Sequence, residues 1–139
     1  MDRCLLDTSA VSDVIRPPKK RLPNVAKHLK QYLRAQGRFS FSEISCYEVL
    51  RGLRKKKASE QLQRFAEFCQ QAELLPVTYD VLDRAASLWA AGQQQGVIVG
   101  DGDLIIAATA ILKDLPLVTS NTRHFDWIAG LQLIDWRKA

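Results

Sequence analysis

Four acidic residues of this sequence lie in or next to apolar segments, a position that favours a chemical role for the carboxylate over a role in solubility. Asp101 and Asp103 are one residue apart, just before a run with almost no polar groups, and Asp7 directly follows a short apolar run. Glu48 lies among apolar residues of a helical pattern. An N-cap explains Asp101 or Asp103 about as well as a functional role does, but one cap needs only one acid. The second acid therefore needs another explanation.

A shared cation is the chemistry that these acids would support if the fold brings them together. Unpaired carboxylates repel at short range, and one of them would have to stay protonated. A divalent cation removes that conflict, and a site with only oxygen ligands suits Mg²⁺ or Mn²⁺ rather than zinc. Such an ion activates water and offsets charge on a leaving oxygen, which is the chemistry of phosphodiester hydrolysis.

The hydrophobic patterns predict strands that alternate with helices. Strands are predicted at residues 3–6, 39–41, 74–78, 116–119 and 131–136. Helices are predicted directly after Asp7 and at residues 23–37, 43–56, 59–71, 81–95 and 100–113. The helices at 43–56 and 59–71 form a predicted helical hairpin. The pattern indicates one α/β domain, residues 1–139, with a mostly parallel sheet of about five strands and helices on both faces.

This fold would bring the polar side chains to one edge of the sheet. Ligands of parallel α/β sheets bind at the carboxyl ends of the strands, and both Asp7 and Asn121 follow predicted strands. Asp101 and Asp103 precede a helix on the same side if the connections are right-handed. Glu48 can reach inward from its helix. The sequence therefore predicts a pocket where three or four oxygen-bearing side chains converge.

The composition limits the class of protein. The chain has 139 residues, of which 47% are apolar and 25% charged, as in an ordinary globular domain. No apolar run reaches the ~18 residues that a membrane span needs, and the N-terminus does not resemble a secretory signal. The three cysteines, Cys4, Cys46 and Cys69, have no metal-binding spacing. We therefore expect free thiols in a cytoplasmic protein, without a disulfide or a zinc site.

Positive charge is concentrated in two segments. The net charge is +5, and residues 14–42 contain eight lysines and arginines but no acid. A second basic block follows at residues 51–57. The pattern favours a polyanionic partner, with nucleic acid first, although a solvated surface or a docking face for an acidic protein remains an alternative. Candidate nucleic-acid contacts are Lys19, Lys20, Arg21, Arg51, Arg54 and Arg123.

Four segments together resemble the PIN-domain ribonucleases, specifically the VapC-type toxins of toxin–antitoxin pairs. They are CLLDTSAVSDVI at 4–15, EISCYEVLRGL at 43–53, VIVGDGDLIIAATAI at 97–111 and LPLVTSNTRHFDWIAGLQLIDW at 115–136. Each is loose alone, but they cover nearly the whole chain in the family's order. The resemblance implies a three-layer PIN-like fold, Mg²⁺-dependent endoribonuclease activity on structured RNA such as transfer or ribosomal RNA, a homodimer, and a cognate VapB-type antitoxin.

The resemblance also assigns roles to particular residues. The family's catalytic, metal-binding acids fall on Asp7, Glu48 and Asp103. Asp101 matches a position that is often acidic, so we expect it to bind the metal or support a ligand. Many PIN domains have a fourth acid where this chain has Asn121, whose amide oxygen can orient a ligand but brings no charge. The hydroxyls beside the first aspartate are expected to support it or to bind a phosphate: Thr8 and Ser9.

Two other functions compete with this interpretation. An aspartyl-phosphate phosphatase would also have an aspartate after a strand, but it needs a second acid two residues later, where this chain has Ser9. A PIN domain with a decayed site, acting as an RNA- or protein-binding module, is favoured by the missing fourth acid. Mn²⁺ uptake would separate the second alternative from a working metal site.

Several other residues have ordinary structural roles in this interpretation. Glu43 competes with Glu48 for the inward position, but its place in the first turn needs no further role. Asp13 is expected to be a surface or capping acid, and His124 an ordinary surface residue. All three tryptophans are expected in the core: Trp89, Trp127 and Trp136. The exposed side of the hairpin is the expected surface for dimerisation.

Overall fold

The central sheet is parallel throughout and has its first strand in the middle. The computed structural model describes residues 2–139. Within this range the strand order is β3-β2-β1-β4-β5. The strands are β1 (Leu5–Leu6), β2 (Ser40–Ser42), β3 (Glu73–Leu75), β4 (Leu117–Val118) and β5 (Leu133–Ile134). Leu6 pairs with Phe41 on one side of β1, and Leu5 pairs with Leu117 on the other.

Helices connect the strands. They are α1 (Thr8–Val14), α2 (Pro23–Gln36), α3 (Glu43–Lys55), α4 (Ser59–Gln71), α5 (Tyr79–Gln95) and α6 (Asp101–Leu112), with short 3₁₀ turns at Pro18–Lys20 and Thr122–His124. Local signals set several ends. Ser42 caps α3 by accepting a hydrogen bond from Ile44 N at 3.1 Å. Gly37 and Gly96 end α2 and α5 in the left-handed conformation, with φ of 82° and 72°.

Each face of the sheet has its own core, because successive strand residues point to opposite sides. Leu6 and Val118 belong to the cluster that contains Tyr32 of α2 and Phe65 of α4. Their neighbours Leu5 and Leu117 pack instead against α6, with a set of fully buried residues that includes Ile106, Ala107 and Ala110. The predicted three-layer PIN-like fold is therefore confirmed. None of the described helices is long and apolar enough to cross a membrane.

Two predictions about the region around α5 are wrong. Trp89 of α5 was expected in the core, but it is 52% exposed, and Leu82 on the same side of the helix is 48% exposed, because α5 packs mainly on α6 through its opposite stripe, which includes Val81 and Ala85. The predicted strand at 74–78 is also shorter, at Glu73–Leu75. Trp136 is buried, as predicted.

The three cysteines are free thiols. Cys4 is buried, and Cys46 of α3 and Cys69 of α4 are partly buried with their sulfur atoms 3.8 Å apart. Burial and the neighbouring Cys46 raise the pKa of Cys69 to about 12, so this side chain stays a protonated thiol at neutral pH. The pair fills the contact between the two arms of the helical hairpin.

Candidate active site

Asp7 lies at the carboxyl end of β1, the central strand, and is almost completely buried, with 2% exposure. Its Oδ1 atom accepts hydrogen bonds from Ala10 N at 2.8 Å and Ser9 Oγ at 2.7 Å, and the Thr119 hydroxyl donates to Oδ2. Asp7 is therefore the N-cap of α1. The cap uses one of its oxygens, and the second faces the exit of β4.

The surroundings of Asp7 have opposing effects on its pKa. Burial raises its pKa, and the negative charge of Asp103 raises the pKa further. The hydrogen bonds from Thr119, Ser9 and Ala10 lower the pKa and offset part of this effect. The charge of Asp103 thus disfavours ionisation of an acid that lies far from it in the sequence. A cation between them would stabilise both charges.

Glu48 reaches the first turn of α6 from the second turn of α3. Its Oε1 accepts a hydrogen bond from Thr8 Oγ1 at 2.6 Å, and its Oε2 lies 3.7 Å from Arg51 Nη2. A β-carbon added to Gly102, between the two aspartates of α6, would lie only 2.5 Å from Oε2. Glu48 is thus part of the same neighbourhood as the aspartates. Glu43 lies elsewhere and accepts a hydrogen bond from Val77 N at 2.9 Å.

Asp101 and Asp103 lie in the first turn of α6, but neither caps it. The N-cap is Gly100, and no side chain accepts a capping hydrogen bond there. The N-cap explanation for these two acids is therefore wrong. Asp103 Oδ2 lies 2.9 Å from His124 Nδ1, so His124 is a neighbour of the site and not an ordinary surface residue. Asp101 is exposed.

Hydroxyl groups at the exit of β4 complete the surroundings of Asp7. Ser120 donates to Ser9 through its backbone N–H at 3.3 Å and approaches the same hydroxyl with its Oγ at 3.1 Å. Asn121 N donates to Thr119 Oγ1 at 2.9 Å, while the Asn121 residue is exposed. Sequence reasoning found Asn121 but missed Thr119 and Ser120. Three hydrogen-bonding residues directly after an apolar strand are the signal that would have pointed to them.

The donor set fits a hard divalent cation, because carboxylate, amide and hydroxyl oxygens are what Mg²⁺ and Mn²⁺ prefer. The glycine between the aspartates leaves the space that the Glu48 carboxylate occupies. In the described range 2–139, no three His, Cys, Asp or Glu side chains are gathered closely enough to hold an ion. Glu48 is instead held by Thr8, and Asp103 by His124.

A basic groove of about 620 Å³ runs beside the acidic pocket, between α1, α2 and the α3–α4 hairpin, and is lined at one part by Thr8 and Glu48. Its apolar lining includes Ile15, Leu29, Leu33, Val49, Leu53 and Phe65. Its cations are Arg16, Lys20, Arg21, Lys56 and Arg64. Of the candidate nucleic-acid contacts, Lys20 and Arg21 thus line the groove and Arg51 pairs with Glu48. Three others are not among the residues that line it: Lys19, Arg54 and Arg123.

Comparisons with known proteins agree with this architecture. A PIN domain family model matches residues 4–131. Ribonuclease VapC2 of Rickettsia felis is 32% identical over 100 residues, which cover 71% of this chain and 75% of that protein. The tRNA(fMet)-specific endonuclease VapC of Salmonella typhimurium is 27% identical over 138 residues, covering 98% of this chain and 99% of that protein.

Solved structures give the same result. The crystal structure of DNA-bound VapBC from Salmonella typhimurium superposes with a TM-score of 0.84 at 26% identity, covering 98% of this chain and 99% of that chain. The family model spans β1 to the segment before β5, and therefore includes every acid of the pocket. The chain belongs to the PIN-domain family and, within it, to the VapC ribonucleases.

Proposed function

We propose that this protein is a Mg²⁺-dependent endoribonuclease that cleaves structured RNA and acts as the toxin of a toxin–antitoxin pair. One observation carries the proposal: Glu48 accepts a hydrogen bond from Thr8, the residue after the buried Asp7, and packs into the space left by Gly102 between the aspartates of α6. Acids from three elements thus lie in one neighbourhood at the carboxyl edge of the sheet. Family membership supports the nuclease reaction.

The metal would be held by oxygen atoms of Asp7, Glu48 and Asp103, with Asp101 as a further ligand or support. When bound, such an ion activates water and offsets charge on the leaving oxygen of the phosphodiester. The protein's own hydroxyls keep the central carboxylate in place, because Ser9 and Thr119 both donate to Asp7. Mn²⁺ is expected to substitute for Mg²⁺ because it accepts the same oxygen donors.

Transfer RNA is the first substrate to test, with ribosomal RNA as the second. The relative from Salmonella typhimurium is named for its action on tRNA(fMet), and it matches this chain over almost its full length. The basic groove supports a polyanionic substrate, because its cations line the same groove as Glu48. We place the reaction in the cytoplasm, where such RNA is found.

A VapB-type antitoxin is the proposed protein partner. The structural neighbour from Salmonella typhimurium is a VapBC complex on DNA. The apolar lining of the basic groove, with Leu53 and Phe65, offers a surface that a polypeptide can cover, and Glu48 lies at its margin. A partner seated there would block the approach of RNA to the acids.

We also place a homodimer interface on α5 rather than on the hairpin that the sequence suggested. Three apolar side chains are exposed on or next to α5: Leu82 at 48%, Trp89 at 52% and Ile98 at 94%. An exposed patch of this kind marks an interaction surface. The hairpin contributes mainly Tyr47, which lies over Arg51 with 5.4 Å between the guanidinium carbon and the ring centroid.

The two competing functions are affected differently by the geometry. Ser9 donates its hydroxyl to Asp7, so position 9 supplies no general acid for aspartyl-phosphate chemistry. A decayed PIN domain that only binds RNA or protein is favoured by Asn121, the neutral residue at the exit of β4. Isothermal titration calorimetry with Mn²⁺ at millimolar concentration tests it, because a decayed site would show no uptake.

Cleavage of purified transfer RNA tests the main proposal. The unsubstituted protein should cut with Mg²⁺ and stop cutting with EDTA, while Asp7→Asn and Asp103→Asn should each lower the rate by about 100-fold or more. Asp126→Asn is the matched control, because Asp126 is an exposed acid outside the pocket. Full activity in either pocket variant would remove the metal-centre argument. Sequencing of the RNA ends then identifies the cleaved bond.

A further inference from the structure

The C-terminal segment after β5 is fastened across α1 and α2. Trp136 is buried, and its ring packs against Tyr32 with 5.5 Å between the centroids. Asn24 donates its side-chain N–H to the carbonyl of Arg137 at 3.0 Å, and His28 Nε2 lies 3.0 Å from the carbonyl of Lys138. The segment therefore has a defined path over the helices, although it lies beyond the residues that the family model matches.

The Arg137 side chain binds Asp13 of α1 with two hydrogen bonds. Nε donates to Oδ2 at 2.8 Å, and Nη2 donates to Oδ1 at 2.9 Å. Asp13 is not the surface or capping acid that the sequence suggested, since the residue is only 5% exposed. A carboxylate buried to this degree needs a cationic partner. The two-point contact also fixes the direction of both groups, which a single point charge would not do.

The helix that Arg137 holds is the helix that positions the central acid of the pocket. Asp7 caps α1, and Ser9 and Asp13 lie within its seven residues. A helix of about two turns behaves as one short rigid body, so its rotation sets the direction of the Asp7 carboxylate. The apolar contacts of Val11 and Val14 are not directional, whereas the Arg137–Asp13 contact is.

Arg137 also lies close behind the pocket. A space of about 10 Å³ is lined by Arg137 together with Asp13 and with Thr119 and Ser120, the residues that contact Asp7 and Ser9. The Asp13 hydrogen bonds are the main reason that the pKa of Arg137 is above its usual value, and the charge of Asp7 contributes as well. Arg137 therefore shares a small space with two of the residues that surround Asp7 and Ser9.

We propose that Arg137 is a positioning residue for the nuclease reaction: its two-point contact with Asp13 fixes the rotation of α1 and, through it, the direction of Asp7. The inference rests on the proposed nuclease function. Arg137 is not expected to touch RNA or metal. Its loss should therefore lower kcat and leave KM for RNA nearly unchanged, because substrate binding uses other residues.

Four variants of the full chain test the role: Arg137→Gln, Arg137→Lys, Asp13→Asn and the double variant Asp13→Asn/Arg137→Gln. We expect Arg137→Gln to lower kcat by about 10-fold with KM within about 2-fold, and Arg137→Lys to recover part of the loss. The double variant should be no slower than Arg137→Gln if the two residues act as a unit. Lys138→Gln is the control on the same segment.

Thermal unfolding of the same variants separates positioning from stability alone. The double variant removes the unpaired buried charge, so its melting temperature should recover toward that of the unsubstituted protein while kcat stays low. A kcat that recovers together with the melting temperature would overturn the proposal, as would a rise in KM of about 10-fold in Arg137→Gln. Full activity of Arg137→Gln would overturn it as well.

A second measurement does not depend on nuclease activity and keeps the two proposals distinguishable. The amide of Ala10 donates to Asp7 Oδ1 at 2.8 Å, so its hydrogen-exchange rate reports whether α1 holds its place under Asp7. We expect exchange at Ala10 to be about 10-fold faster in Arg137→Gln than in Lys138→Gln. Equal rates in the two variants would refute the positioning role even if the unsubstituted protein cut no RNA.

Discussion

The carboxylate of Glu48 lies in the space that a side chain would occupy on Gly102. A β-carbon at residue 102 would be 2.5 Å from Oε2 and 3.0 Å from the carboxyl carbon of Glu48. The absence of a side chain on α6 is thus what lets an acid on α3 approach the aspartates on either side of the glycine. Two helices that are far apart in sequence contribute to one pocket through this contact.

Gly102→Ala should therefore lower activity without weakening the fold. The methyl group would displace the end of the Glu48 side chain, and a displacement of about 1 Å at a reacting site can cost up to about 100-fold in rate. Alanine is the better helix former by about 1 kcal/mol, so the melting temperature should stay the same or rise. RNA cleavage and thermal unfolding measure the two effects. Gly100→Ala is the control, because nothing lies within 4 Å of its added carbon.

Asp7→Asn should stabilise the metal-free protein at neutral pH. Burial raises the pKa of Asp7 above its ordinary value of 3.8, so between 3.8 and the raised pKa the folded state binds more protons than the unfolded chain. The free energy of unfolding therefore falls as the pH rises through this range, and the full loss of stability is present above the raised pKa. Asparagine avoids this cost while its oxygen can still accept from Ala10 and Ser9.

Melting temperatures in EDTA at several pH values measure this effect. The variant should melt several degrees higher than the unsubstituted protein at pH 7.5, and the difference should shrink as the pH falls toward 3.8. Such a gain in stability from the loss of an active-site charge is the usual sign of a residue kept for function. A variant that melts lower at every pH would contradict this account of Asp7.

The sequence was sufficient to predict what depends on local pattern, and insufficient for what depends on distant partners. Asp7 at the end of the central strand and the buried helix after Asp103 both follow from apolar runs bounded by acids. Thr119 could not be assigned to Asp7 in the same way, because the contact joins residues 112 positions apart. The pairing of Arg137 with Asp13 spans 124 positions. Such contacts depend on strand order, which no local signal encodes.

The choice of which side of α5 faces the core is a second feature that the sequence could not predict. Its sequence has apolar residues on two stripes, so Leu82 and Trp89 satisfied the same helical pattern as Val81 and Ala85. The stripe that is buried depends on the small residues that α6 presents to it, including Ala108. Periodicity alone could not make that choice, and the exposed stripe became a candidate interface only once the fold was known.

Removal of the cations that line the basic groove should weaken RNA binding in a salt-dependent way. Lys20 and Lys56 line the groove from opposite segments. Each lost phosphate contact should reduce the slope of log K against log salt by about 0.7–0.9. Fluorescence anisotropy with a labelled transfer RNA and a catalytically silent Asp103→Asn background measures binding without cleavage. Lys20→Ala and Lys56→Ala should each weaken binding about uniformly across RNA sequences.

Lys113→Ala is the control for this prediction, since Lys113 is exposed at the opposite end of α6 from the acids. It should leave both the affinity and the salt slope unchanged. If all three variants lose affinity equally, the groove has no special role and the effect follows net charge alone. A loss confined to Lys113→Ala would place the RNA on another face of the molecule.

A charge at the centre of the exposed apolar patch on α5 should separate the proposed homodimer. Trp89 is 52% exposed and lies with Leu82 on the stripe that faces away from α6, so glutamate at this position leaves the Val81 and Ala85 stripe that packs on α6 in place. Surface changes of this kind usually alter stability by less than about 0.5 kcal/mol. Sedimentation velocity should therefore show a dimer for the unsubstituted protein and a folded monomer for Trp89→Glu.

Tyr47→Glu is the matched variant on the hairpin, where the residue is 55% exposed, and it should remain a dimer. Dissociation of the Tyr47 variant alone would return the interface to the hairpin that the sequence suggested.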